Sequence, residues 1–163
     1  MKKIILSAVS AELSRDLLKE VPHRMVCKGM AVVYQYVENG KITDVITNDM
    51  ALEFGFTEAQ LFEIAQRNLK HFLPVLKEEE EGVYTITSLN NEKVGSGMAF
   101  INGIMDRVLN KTGAGQVYVT LEPEKVTICT KISSLFKKTL EQAKECTRIG
   151  RVMSYSKEGF ATI

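Results

Sequence analysis

The feature that most constrains this chain is the Asn39-Gly40 pair set between two strand-like runs. Met30 to Val37 is rich in β-branched and aromatic residues, and Ile42 to Thr47 resumes that character. Asn-Gly accepts the positive φ angles of a type I′ turn, whose twist suits paired strands. The two runs therefore predict an antiparallel hairpin in which Val37 faces Ile42, Gln35 faces Asp44 and Val33 faces Ile46. Both faces of that hairpin are partly apolar, which places it inside a sheet rather than on an edge.

Other elements follow from pattern. Residues 2–9 read as a strand. Ser10 or Ser14 can cap a short helix to about Glu20, with Leu13, Leu17 and Val21 on one face and Pro22 ending it. Thr57-Glu58-Ala59-Gln60 is a capping box, followed by an apolar stripe of Leu61, Phe62, Ile64, Ala65, Leu69 and Phe72. The run Glu78 to Glu81 concentrates like charge and reads as a solvated loop or frayed helix end. Tyr84 to Thr87 is a short strand. Gly95-Ser96-Gly97 leads into a helix bearing Phe100, Ile101, Ile104, Met105, Val108 and Leu109, stopped between Asn110 and Gly115. Strands at 116–121 and 126–130 surround Glu122-Pro123-Glu124-Lys125. A last helix spans roughly Ser134–Arg148, and a hairpin turns at Lys157-Glu158-Gly159. Hairpins interleaved with helices, without strict βαβ alternation, predict an α+β fold. The expected form is a mixed, largely antiparallel sheet carrying three to four helices.

Size and charge narrow the class. A chain of 163 residues fits one domain. Lys+Arg 21 against Asp+Glu 20 lacks the basic excess of a duplex-binding protein, so nucleic acid is a disfavoured partner. No run of about 18 apolar residues is present, so no membrane span is expected. Cys27, Cys129 and Cys146 are odd in number and form no CxxC pair, which points to reduced thiols and a cytoplasmic setting.

Few residues stand in patterns that suggest chemistry. Gly95-x-Gly97 before a helix suggests a phosphate loop, but the third glycine is replaced by Phe100 and no GK[ST] follows; a flexible lead-in to a helix is the plainer reading. His23 stands four residues before Cys27, a spacing that could pair imidazole with thiolate or supply half a metal site. A metal needs three or four ligands, and none stand nearby in sequence, so no metal or cofactor is expected. His71 suits a helix C-terminus. Asp44, Asp49 and Glu53 are close in sequence without forming a convincing acid/base pair. For an enzyme of unrecognised type the candidates are His23, Cys27, Asn48, Asp49 and Asn68, with a pocket near His23 and Asn68. Lys137, Lys138, Lys144 and Arg148 gather positive charge on the last helix, partly offset by Glu141 and Glu145. They are the candidates for docking an acidic partner or a nucleic-acid backbone.

Three stretches carry a family resemblance: Val21-Pro22-His23 with Met30 to Tyr34, Ile46 to Met50 with Phe56 to Leu69, and Ser154 to Gly159. Together they resemble the C-terminal half of the YtpQ-like uncharacterised proteins of Firmicutes and gut bacteria, loosely after Gly115. The resemblance implies a bacterial cytoplasmic setting and no particular activity. Related genes often sit in mobile elements, so a mobile-element protein acting on nucleic acid or a host defence protein is one alternative. The leading expectation is a non-enzymatic binding or protein-interaction module, with self-association open.

Overall fold

The structure is a computed structural model that describes residues 2–89, 92–131, 137–138, 149 and 152–163. The α+β class is what it shows, with every strand pair antiparallel and the strands divided between two sheets.

The first sheet is built on the hairpin. β1 (Lys3–Ser10) pairs along the whole of β3 (Met30–Glu38), while β2 (His23–Cys27) and β4 (Lys41–Val45) share the other side of β3. Asn39 and Gly40 take φ of 51° and 75°, as the type I′ turn requires. Val37 faces Ile42 as expected, but the register shifts beyond it and Gln35 faces Val45. The expected Gln35–Asp44 pair is therefore wrong. An irregularity adds one residue on the β4 side, and past it side chains change partners. The Ile46 amide still bonds the Tyr34 carbonyl at 2.8 Å, so the chain stays pinned to β3 where it leaves the sheet.

The helices are α1 (Arg15–Glu20), α2 (Asn48–Phe54), α3 (Glu58–Lys70) and α4 (Ile104–Thr112). The α3 capping box forms in full, with Thr57 Oγ1 accepting from the Gln60 amide and the Gln60 side chain accepting from the Thr57 amide. Its stripe delivers Leu61, Ala65, Leu69 and Phe72 to the core, against β1. The expected inward stripe of α1 does not form. The helix has 6 residues and buries none of them, and Leu13 just before it is 90% exposed; only Val21, beyond its end, is anchored in the core.

The second sheet runs β10-β9-β7-β8-β6-β5, where β5 is Pro74–Glu80, β6 Val83–Ser88, β7 Gln116–Leu121, β8 Val126–Cys129, β9 Met153–Ser156 and β10 Gly159–Thr162. The glutamate run is thus mostly strand, not loop or helix end. Alternation splits the like charges between two faces, and on one face Glu79 pairs with Lys77 at 3.1 Å and accepts from Thr85 Oγ1 at 3.0 Å. β5 is an edge strand, where charge discourages pairing with another chain.

Between the sheets the chain makes a 3₁₀ segment, Glu92–Phe100, before α4. The single helix expected here is divided in two. Gly97 lies against β1, where a Cβ would stand 2.3 Å from the Leu6 carbonyl oxygen, and a Cβ on Gly95 would stand 2.1 Å from that of Glu124. These glycines are packing residues inside the 3₁₀ segment, not the flexible lead-in to a helix expected from the sequence. A single apolar cluster takes in Ile5 and Leu6 of β1, Tyr34 of β3, Leu61 of α3, Ile86 of β6, Val108 of α4 and Ile128 of β8.

Candidate functional site

Two short helices and a strand end meet at an open cleft of about 520 Å³. Thr47 caps α2 by accepting from the Met50 amide at 3.2 Å, and Gly55 ends it with a left-handed φ of 72°. Asn48, at the start of α2, donates from Nδ2 to the Lys19 carbonyl at 3.2 Å and so ties α2 to the end of α1. The cleft is lined by Leu18, Val21, Pro22, Ala51, Leu52 and Phe56, with His23, Asn48 and Glu58 among its polar groups. Leu52 leaves 82% of its surface in water. The His23 Nδ1 lies 3.0 Å from the Val21 carbonyl, which can only accept. Nδ1 therefore carries the proton, and Nε2 is the ring's acceptor when the imidazole is neutral.

Glu58, which lines this cleft, belongs to a charged pair that sequence spacing does not reveal. Arg24 of β2 donates from Nε and Nη2 to the two Glu58 oxygens at 3.0 and 2.9 Å, a bidentate geometry. Its guanidinium also lies 3.7 Å from the Phe62 ring centroid. The fully buried Tyr34 hydroxyl donates to the same Glu58 carboxylate. Burial first, and then Glu58, raise the Tyr34 phenol far above its ordinary range. Each member of the trio has a partner, so the arrangement joins β2 and β3 to α3 and offers no primed nucleophile.

On the Arg24 side lies a second cleft of about 280 Å³, lined by Phe62, Gln66, Phe100, Asp106, Tyr155 and Phe160 among others. Tyr155 donates its hydroxyl to Asp106 at 2.8 Å, and Phe160 stands between Phe100 and Tyr155 with ring centroids 5.2 and 4.8 Å away. Burial and the Asp106 carboxylate push the Tyr155 phenol up to about 12.

The structure separates most of the residues singled out for an enzyme. His23 and Asn48 do share the first cleft. Cys27 does not join His23, because both lie on β2, where four residues span roughly 13 Å. Asp49 is exposed on α2. Asn68 donates from Nδ2 to the Ile4 carbonyl at 2.8 Å, docking α3 on β1. It lies ten residues along α3 from Glu58, roughly 15 Å away, so it belongs to another region than His23. Among the described residues, no group of three or more His, Cys, Asp or Glu is placed to hold a metal ion. No described helix is long and apolar enough to cross a membrane. Of the basic residues, Lys137 and Lys138 are exposed, while Lys144, Arg148 and most of the last helix lie outside the described residues.

Comparison with known proteins places the chain in a family. The family described as "Family of unknown function (DUF5688)" matches residues 1–99, and the chain belongs to it. The matched segment holds the first sheet, α1 to α3 and the first cleft; the Ser154 to Gly159 stretch lies beyond it. No curated protein and no solved structure matches the chain.

Proposed function

We propose that this member of a family of unknown function is a single-domain, non-enzymatic binding module, and that it docks a partner protein on the cleft between α1 and α2. The observation that carries the reading is Leu52, which stands 82% exposed in a cleft it shares with the apolar side chains of Leu18, Val21, Pro22, Ala51 and Phe56. A leucine held in water beside an apolar hollow gains about 1.5–3 kcal/mol when a partner covers it. Polar groups from His23, Asn48 and Glu58 at the same cleft supply the oriented contacts that give an interface its specificity. The bacterial cytoplasmic setting and the YtpQ-like likeness read from the sequence belong to this proposal, and the family match on residues 1–99 supports a conserved module at this end of the chain.

The test is affinity capture from a lysate of the source cell, paired with the purified protein's solution mass by light scattering. The expected result is a stoichiometric protein partner, or a dimer, that Leu52→Asp abolishes without lowering the thermal midpoint. Capture or dimerisation that survives Leu52→Asp overturns the assignment of the cleft. A monomer that captures nothing overturns the binding reading itself.

A further inference from the structure

The second cleft does not share the chemistry of the first. Its walls are aromatic: Phe62, Tyr155 and Phe160 are partly exposed there, and Phe100 lies behind them. Two charged side chains line it, Arg24 and Asp106. The Arg24 charge is already paired, since Nε and Nη2 hold both Glu58 oxygens while the guanidinium stacks on Phe62. Asp106 receives the Tyr155 hydroxyl and meets no cation among the described residues. Gln66 spends one donor on the Phe100 carbonyl at 2.6 Å and keeps its other N–H and its amide oxygen. The amides of Gln66 and Asn102 can take either kind of partner, so the charge that no opposite charge offsets among the described residues is that of Asp106, beside rings whose faces are electronegative.

We propose that this cleft is a binding site for a small organic ammonium ion carrying an apolar or aromatic group. The cation would sit between Asp106 and the rings of Tyr155 and Phe160, where a carboxylate and aromatic faces attract it together. The apolar group would occupy the hollow floored by Phe100 and Met105. A volume of about 280 Å³ sits at the low end of ligand pockets, which selects a small molecule. An anion is disfavoured because Glu58 already occupies the Arg24 guanidinium. The Arg24–Glu58 pair separates this site from the protein-docking cleft, and Leu52 lines that cleft and not this one, so Leu52→Asp leaves it unchanged.

The test is a calorimetric titration of the full chain with three probes of similar shape: 2-phenylethylammonium, 2-phenylethanol and 3-phenylpropanoate. The expected result is that the ammonium binds about tenfold or more tighter than the alcohol, as a charge-assisted contact implies, with the carboxylate weakest. Asp106→Asn should bring ammonium and alcohol to within about twofold of each other. Tyr155→Phe keeps the charge and should keep the preference. Equal binding of ammonium and alcohol, strongest binding of the carboxylate, or no binding of any probe overturns the proposal. So does a preference that persists in Asp106→Asn.

Discussion

Replacing Gly97 by alanine tests how the two sheets are held together. The new Cβ would stand 2.3 Å from the Leu6 carbonyl oxygen and 3.1 Å from Leu69 Cδ1, whereas real Cβ contacts essentially never fall below 3.0 Å. Neither neighbour yields easily. Leu6 is fully buried and paired with Tyr34 in the β1–β3 ladder, and Leu69 is fully buried on α3. Overpacking of this kind costs about 1–3 kcal/mol, and a backbone obstacle puts Gly97→Ala at the upper end. For a chain of this size about 3 kcal/mol lowers the thermal midpoint by roughly 6–12 °C. Gly115→Ala is the control. Nothing lies within 4 Å of its Cβ position and its φ is not left-handed, so it should be neutral or stabilising by about 0.4–1 kcal/mol. Urea unfolding followed by circular dichroism measures both. A Gly97→Ala protein within about 0.5 kcal/mol of the parent would refute the close approach of the 3₁₀ segment to β1. It would also reopen the reading of Gly95-Ser96-Gly97 as a loop for an anion.

Two further outcomes follow from named contacts. Stability should fall as pH rises above about 9, because the folded state holds protons that the unfolded chain gives up. Burial pushes the Cys129 thiol up to about 11, and the Tyr34 phenol is raised further, so their contribution is present below the unfolded pKa values and lost as pH climbs through the folded ones. Urea midpoints measured across alkaline pH should show this fall, and Tyr34→Phe should flatten it. Thr57→Ala removes the oxygen that accepts from the Gln60 amide, and should cost about 1 kcal/mol in the same assay while leaving the fold intact.

Local chemistry was the part of this molecule most open to sequence reasoning. Asn39-Gly40 and the Thr57–Gln60 box each declare themselves within four residues, and both form. What the sequence hid was non-local. The irregularity that sets Gln35 opposite Val45 lies beyond the Val37–Ile42 pair, and the Asn39-Gly40 turn specifies only the register next to it. The glutamate run looked unfit for a strand because its charges are adjacent in sequence, yet on an edge they alternate between faces and find Lys77 and Thr85. Gly95 and Gly97 looked like loop residues because only the fold reveals the backbones pressed against them. Of the candidate site, His23 and Asn48 were legible. Arg24 and Glu58 are 34 residues apart and match no motif, so a β-strand cation ahead of a capping-box acid was the only hint of their pairing. The Tyr155–Asp106 contact, across 49 residues, left no hint at all.

The most direct test of the account puts a photo-crosslinking amino acid at position 52 of the full chain in living source cells. The same group at Glu63, exposed on α3 away from the cleft lining, serves as control. Position 52 should give one dominant protein adduct, or a crosslinked dimer, and position 63 should not. No adduct at 52, or the same adducts from both positions, would contradict a protein-docking role for the cleft between α1 and α2.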